Sequence, residues 1–72
     1  GEILETMALQ CDCFISSLKS KLLYDSHYLL SFPFGQYSLE ECSYSLSYLF
    51  DQDLHFDSVE EIHVFLKKQY RL

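Results

Sequence analysis

The chain is poor in the residues that most often mark a site. It holds two glycines and one proline in 72 residues, and no glycine-rich loop is available to cradle a phosphate. There is no HExxH zinc helix and no nucleophile elbow. No apolar run reaches the length that a membrane-crossing helix needs. The first residues carry neither the basic start nor the small-residue cleavage site of a secretion signal. Cations are scarce too. Lys19, Lys21, Lys67, Lys68 and Arg71 stand against 11 acids, for a net charge of -6. That balance repels phosphate backbones over most of the surface.

Three cysteines, Cys11, Cys13 and Cys42, cannot all pair within one chain. Without a secretion signal they read as reduced thiols of an intracellular protein, in cytoplasm or nucleus. A tetrahedral zinc site using them with His27, His55 or His63 would lack a C-x-x-C pair. Cys11 and Cys13, two apart on a helix, would point roughly 200° apart around its axis. Cys11 and Cys42 are therefore assigned to apolar stripes as small hydrophobes, and Cys13 to the outer face. His55, between acids in a polar link, reads as a solvated loop residue. Serines and acids are too many and too scattered to single out a catalytic triad. A chain this short also leaves little room for a deep pocket beside its own core. The expectation is no enzyme activity, no metal, no cofactor and no small-molecule substrate.

What the chain does have is helical punctuation. Ser38-Leu39-Glu40-Glu41 and Ser58-Val59-Glu60-Glu61 are two copies of one helix-start signal. In each, the serine hydroxyl can accept from the free N–H three residues on. The glutamate there can reach back to the serine's own N–H. After Ser38, the residues Leu39, Cys42, Leu46, Leu49 and Phe50 fall within one arc at about 100° per residue, and Tyr37 is placed to staple onto Cys42. After Ser58, Val59, Ile62, Leu66 and Tyr70 point one way, with Phe65 and His63 at the margin. Lys67, Lys68 and Arg71 fill the last turns, where the helix dipole favours positive charge.

From Glu2 to about Leu23, the residues Leu4, Met7, Cys11, Phe14, Leu18 and Leu22 recur at three- and four-residue spacing, widened by Ala8 and Ile15. That is the pattern of one buried helix face. No glycine or proline interrupts it, so the spacing predicts a single helix of roughly six turns. Asp25 or Ser26 can cap a short turn through Leu30. Pro33 then pushes Phe32 out of the helical region, and Phe32-Pro33-Phe34-Gly35 reads as an apolar connector that plugs the core. The expected fold is all-α: a small bundle of three main helices, about 2–23, 39–51 and 59–71. The Pro/Phe connector joins the first two, and the pattern allows one extra short helical turn near 26–31. Residues 1–72 read as a single helical domain, and Gly1 in place of Met suggests a piece cut from a longer protein.

One surface breaks the polar-outside pattern. Tyr44 and Tyr48 stand at i and i+4, opposite the apolar stripe of their helix and flanked by Glu40, Glu41 and Asp51. Either the helix is sandwiched and buries both faces, or this aromatic, acid-rimmed pair is a binding surface. Leu9 and Cys13 form a weaker second face on the first helix. The leading expectation is a non-catalytic protein-protein interaction module, an adaptor or assembly domain. It would bind a helix or short linear segment through Tyr44, Tyr48, Glu40, Glu41 and Asp51, or self-associate. The alternative is a small winged-helix or helix-turn-helix nucleic-acid-binding domain using the basic C-terminal helix. From the cysteine pattern, thermal unfolding is expected to be the same with and without a chelator or a mild reductant. A midpoint lowered by several degrees with chelator would contradict the metal-free reading.

Overall fold

The computed structural model describes residues 2–72, and every regular element among them is helical. In chain order these are α1 (Glu2–Gln10), α2 (Leu18–Leu22), α3 (Ser26–Ser31), α4 (Leu39–Phe50) and α5 (Val59–Tyr70), with 3₁₀ turns at Ile15–Ser17 and Phe34–Gln36. α1 and α2 pack on α4, and α3 packs on α5. The all-α expectation holds, and α3 is the extra turn allowed near 26–31.

The helix expected over 2–23 is instead two helices separated by a turn. α1 stops after Gln10, and Asp12 takes the left-handed conformation with φ 51°. The Asp12 N–H donates to Leu9 O at 3.3 Å and the Cys13 N–H to Ala8 O at 3.0 Å. Together these two bonds satisfy carbonyls that a helix end leaves without partners. Glycine usually takes this position. Aspartate is one of the few other residue types that visit the left-handed region routinely, so the stop carries no glycine to announce it. The reversal has a clear effect on the stripe. Leu4, Met7, Ala8, Leu18 and Leu22 are buried as the spacing predicts, joined by Ile3, whereas Phe14 is 81% exposed. Asp51 (φ 57°) ends α4 and Arg71 (φ 59°) ends α5 in the same left-handed way.

Both serine caps form. Ser38 Oγ accepts the Glu41 N–H at 3.1 Å, and Ser58 Oγ accepts the Glu61 N–H at 3.2 Å. The return bonds go elsewhere than to the serines' own amides. Glu61 Oε1 accepts from the Asp57 N–H at 2.9 Å. Glu41 Oε1 accepts from the Glu2 N–H at 2.7 Å, and its Oε2 accepts from the Ser45 hydroxyl at 3.1 Å. One carboxylate thereby serves the starts of both α1 and α4, where helix dipoles favour negative charge. Asp25 caps α3, accepting the Tyr28 N–H at 3.0 Å.

The connector fills the core as its composition predicts. Phe32 and Phe34 are buried with ring centroids 4.9 Å apart, and Tyr37 stacks on Phe32 at 5.7 Å. The Tyr28 hydroxyl donates to Gln10 Oε1, tying α3 to the end of α1. Burial, and then the neighbouring Cys11, Tyr37 and Asp25, push the Tyr28 phenol up to about 12, so it remains a donor.

The link from α4 to α5 is strapped along α4 by serines one turn apart. Ser43 Oγ accepts the Phe56 N–H at 3.0 Å, and Ser47 Oγ accepts the Leu54 N–H at 3.0 Å while donating to Leu54 O at 3.2 Å. This return run brings Val59, at the start of α5, against Gly35 just ahead of α4. The far ends of the two helices also meet, with Phe50 edge-on to Phe65 at 5.1 Å and 6.3 Å from Tyr70. The Tyr70 hydroxyl donates to Leu22 O at 3.4 Å and draws the end of α2 to the same place. With Ser43 and Ser45 buried beside Cys42, Leu46 and Leu49, α4 is enclosed on more than its apolar stripe.

Ser38→Ala and Ser58→Ala are each expected to cost about 1 kcal/mol through the lost cap, measured by urea unfolding. An unchanged midpoint in both variants would mean that these bonds do not hold the helix starts.

Candidate docking groove

The five residues singled out on α4 and at its end do not form one open surface. Tyr44 is 60% exposed and Glu40 is exposed. Tyr48, one turn on, is half-buried against the core, with Lys19 Nζ 4.7 Å from its ring centroid. Lys19 Nζ also lies 3.7 Å from Asp51 Oδ1, whose side chain is 91% exposed. An ion pair this exposed adds little, so the ring contact is the more substantial part of this tie between α2 and α4. Glu41 is committed to Glu2 and Ser45. Tyr44 and Glu40 thus face outward, while Tyr48 and Glu41 serve the fold.

The reversal at Asp12 opens a different surface. Leu9 is 83% exposed, and Phe14, assigned by its spacing to the core, stands out beside it. With Glu5, Ala8, Cys13, Ile15 and Ser16 they line an open groove of about 530 Å³. Glu5, Ala8 and Leu9 are neighbours on one helix face and form one wall. Residues 13–16, leaving the turn and entering the 3₁₀ segment, form the other. Cys13 is half-buried here instead of outward. No residue of α4 lines this groove, so the Leu9–Cys13 face and the tyrosine face remain separate. The sequence signals for it were the weaker Leu9–Cys13 face and a residue type tolerant of left-handed backbone, Asp12, inside an otherwise periodic stretch.

A second groove, of about 510 Å³, lies between the link and α5 and includes His55, Phe56, Glu60, Glu61, Val64 and Lys68. Its wall mixes both charges. His55 Nε2 sits 2.9 Å from Asp57 Oδ1 with both side chains mostly exposed. The hydroxyl of the adjacent Ser58 is engaged by the Glu61 amide. Burial raises the Cys42 thiol above its ordinary range, with nearby Glu41 acting in the same direction. Cys11 is raised as well, by burial and then by Cys13, against a lowering by Lys21. Both are therefore held as neutral thiols, poor nucleophiles and poor metal ligands. Among the described residues no three His, Cys, Asp or Glu side chains gather to hold a metal, and no helix is long and apolar enough to cross a membrane.

Compared with protein-family models, with curated proteins and with solved structures, the chain matches none.

Tyr48→Ala is expected to destabilise the fold by about 1–3 kcal/mol, because it removes a half-buried ring and its cation contact. Tyr44→Ala should stay within about 0.5 kcal/mol of the parent. Urea unfolding of the two variants distinguishes them, and equal losses would contradict the separation drawn between these rings.

Proposed function

We propose that this chain is a non-catalytic protein-interaction module of a larger intracellular protein, and that its principal docking surface is the groove between α1 and residues 13–16. One observation carries the reading. Two large apolar side chains, Leu9 and Phe14, are held more than four-fifths exposed on the rim of an apolar groove. Leu9 stands in the last turn of α1 and Phe14 immediately before the 3₁₀ turn. Scattered single apolar residues on a surface need no explanation, but a contiguous apolar groove marks an interaction site. A large aromatic beside an aliphatic anchor is the composition of a binding hot spot. Tyr44 with Glu40 offers a smaller second surface on α4.

The runner-up, nucleic-acid binding, has one observation in its favour. The contacts of Tyr70 with Leu22 and of Phe50 with Tyr70 bring Lys67, Lys68 and Arg71 to the same end of the molecule as α2, which carries Lys19 and Lys21. Asp25 and Asp51 sit at that end too, and the described residues contain no strand to build a wing. Partial neutralisation of this kind weakens the phosphate contacts that drive such binding.

The test is affinity capture with the parent chain and with the double variant Leu9→Ser/Phe14→Ser, each with and without nuclease. Both substitutions are at exposed positions, and the variant should unfold within about 0.5 kcal/mol of the parent. The reading expects protein partners that resist nuclease and are lost with the variant. Capture unaffected by the variant would contradict it. Capture abolished by nuclease and by changing Lys67, Lys68 and Arg71 would establish the runner-up.

A further inference from the structure

We infer that the link between α4 and α5 is a second docking edge, pairing antiparallel with an extended segment of another protein. That segment carries a cation, an apolar residue and an acid at alternate positions. The link's conformation follows from its two serine straps. Ser47 Oγ accepts the Leu54 N–H and Ser43 Oγ accepts the Phe56 N–H, both at 3.0 Å. Four helical residues advance about 6 Å, and extended chain, at about 3.3 Å per residue, covers that distance in two. Burial alternates to match. Leu54 and Phe56 are turned in, whereas Asp53, His55 and Asp57 are exposed. In extended chain the N–H and C=O of successive residues point to opposite sides. Leu54 and Phe56 turn theirs toward α4, so those of Asp53 and His55 point away from it. Among the described residues nothing bonds to the backbone of either one. The result is a short free edge of the kind that strand addition uses. A helix laid here would arrive with its own backbone bonds made and would leave this edge unpaired as water leaves.

The groove beside the link sets the order of side chains. Glu60, Val64 and Lys68 follow one another a turn apart on one face of α5, and all three line the groove with His55, Phe56 and Phe65. Val64 is 53% exposed. Among the described residues neither the Glu60 carboxylate nor the Lys68 ammonium has a partner. The wall therefore reads acid, apolar, base over about 12 Å, the span of about four extended residues. Side chains at i, i+2 and i+4 fall on one face of a strand and match that spacing. The link runs toward the start of α5, so an antiparallel guest enters over Glu60 and leaves over Lys68. Read from its N-terminus, it presents lysine or arginine, then an apolar residue, then an acid. A second copy of this chain, paired edge to edge around His55, would set Asp53 against Asp57, and like charges directly opposite weaken a strand pair.

The experiment uses two short synthetic peptides of identical composition, one centred on Lys-x-Leu-x-Glu and the other on Glu-x-Leu-x-Lys. Binding to the full chain is read by amide chemical shifts and by hydrogen exchange at Asp53 and His55. The Lys-first peptide should bind at least about fivefold more tightly at low salt, with the gap narrowing as salt is added. It should shift His55, Phe56, Val64 and Phe65, and slow exchange of the Asp53 and His55 amides at least about tenfold. The charge swap Glu60→Lys/Lys68→Glu, at two exposed positions, should reverse the preference. Lys68→Gln alone should narrow the gap, and it serves if the swap fails to fold. Leu9→Ser/Phe14→Ser should bind both peptides as the parent does, because the two grooves share no residue. Loss of binding in that variant would place the peptide at α1 and overturn the inference. Binding that leaves the Asp53 and His55 amides exchanging freely would overturn strand addition. Equal or tighter binding of the reversed peptide, or no binding of either, would overturn the proposed guest. A dimer in sedimentation with those two amides protected would make a second copy the occupant, against the inference.

Discussion

A helix running unbroken from residue 2 to 23 would be about 33 Å long at 1.5 Å per residue, whereas the molecule's longest dimension is 28 Å. Such a rod could lay only part of its apolar stripe on α4. The left-handed turn at Asp12 resolves the conflict by splitting the stripe into α1 and α2, both of which pack on α4. A non-glycine residue in that conformation costs about 1–2 kcal/mol, less for aspartate. Against it stand two closing hydrogen bonds and the burial of Leu18 and Leu22. Each such side chain brings about 1.5–3 kcal/mol when fully buried. Burial wins, and exposure of Phe14 is the remaining consequence. The feature that makes the fold compact is therefore the one that opens the apolar groove at Leu9 and Phe14.

Electrostatics reinforce the same arrangement. All six glutamates lie in the first turns of α1, α4 and α5, each complementing a helix dipole. Glu41 goes further by supplying the first amide of α1 with a carboxylate from α4. The serines of α4 play the corresponding part for the link. Ser43 and Ser47 replace solvent for the amides of Phe56 and Leu54, so a polar segment can lie against a helix without leaving its backbone groups unpaired. Such short side chains let the link approach closely, and they fix where α5 begins.

The parts of the fold legible in the sequence were those governed by local chemistry. Ser38 and Ser58 named their helix starts because a hydroxyl three residues before a free amide is a local arrangement. Pro33 ended α3, and the five apolar side chains of Tyr28, Leu29, Leu30, Phe32 and Phe34 were too many for a solvated loop. The ends at Asp51 and Arg71 fell where the reading put them, whereas the break at Asp12, with aspartate in the left-handed position that a glycine would have announced, was hidden. Periodicity then carried the reading of one helix straight through Asp12 and placed Phe14 inside. For the binding surface, the i and i+4 spacing of Tyr44 and Tyr48 was sound, but which neighbour lies over each ring is a tertiary matter. Lys19 reaches Tyr48 because α2, set off from α1 by the turn at Asp12, packs on α4. The groove at Leu9 and Phe14 depends on that same turn, and its local signs were no more than Asp12 and the weaker Leu9–Cys13 face.

The most direct measurement is the backbone conformation of residues 11–14 in solution, from NMR secondary shifts and the Asp12 scalar coupling. The account predicts a positive φ at Asp12, loss of helical shifts from Asp12 to Phe14, and a Phe14 ring free of contacts to the core. Unbroken helical shifts from residue 2 to 23, with Phe14 showing contacts to Leu46 or Leu49, would contradict both the fold and the groove built on it.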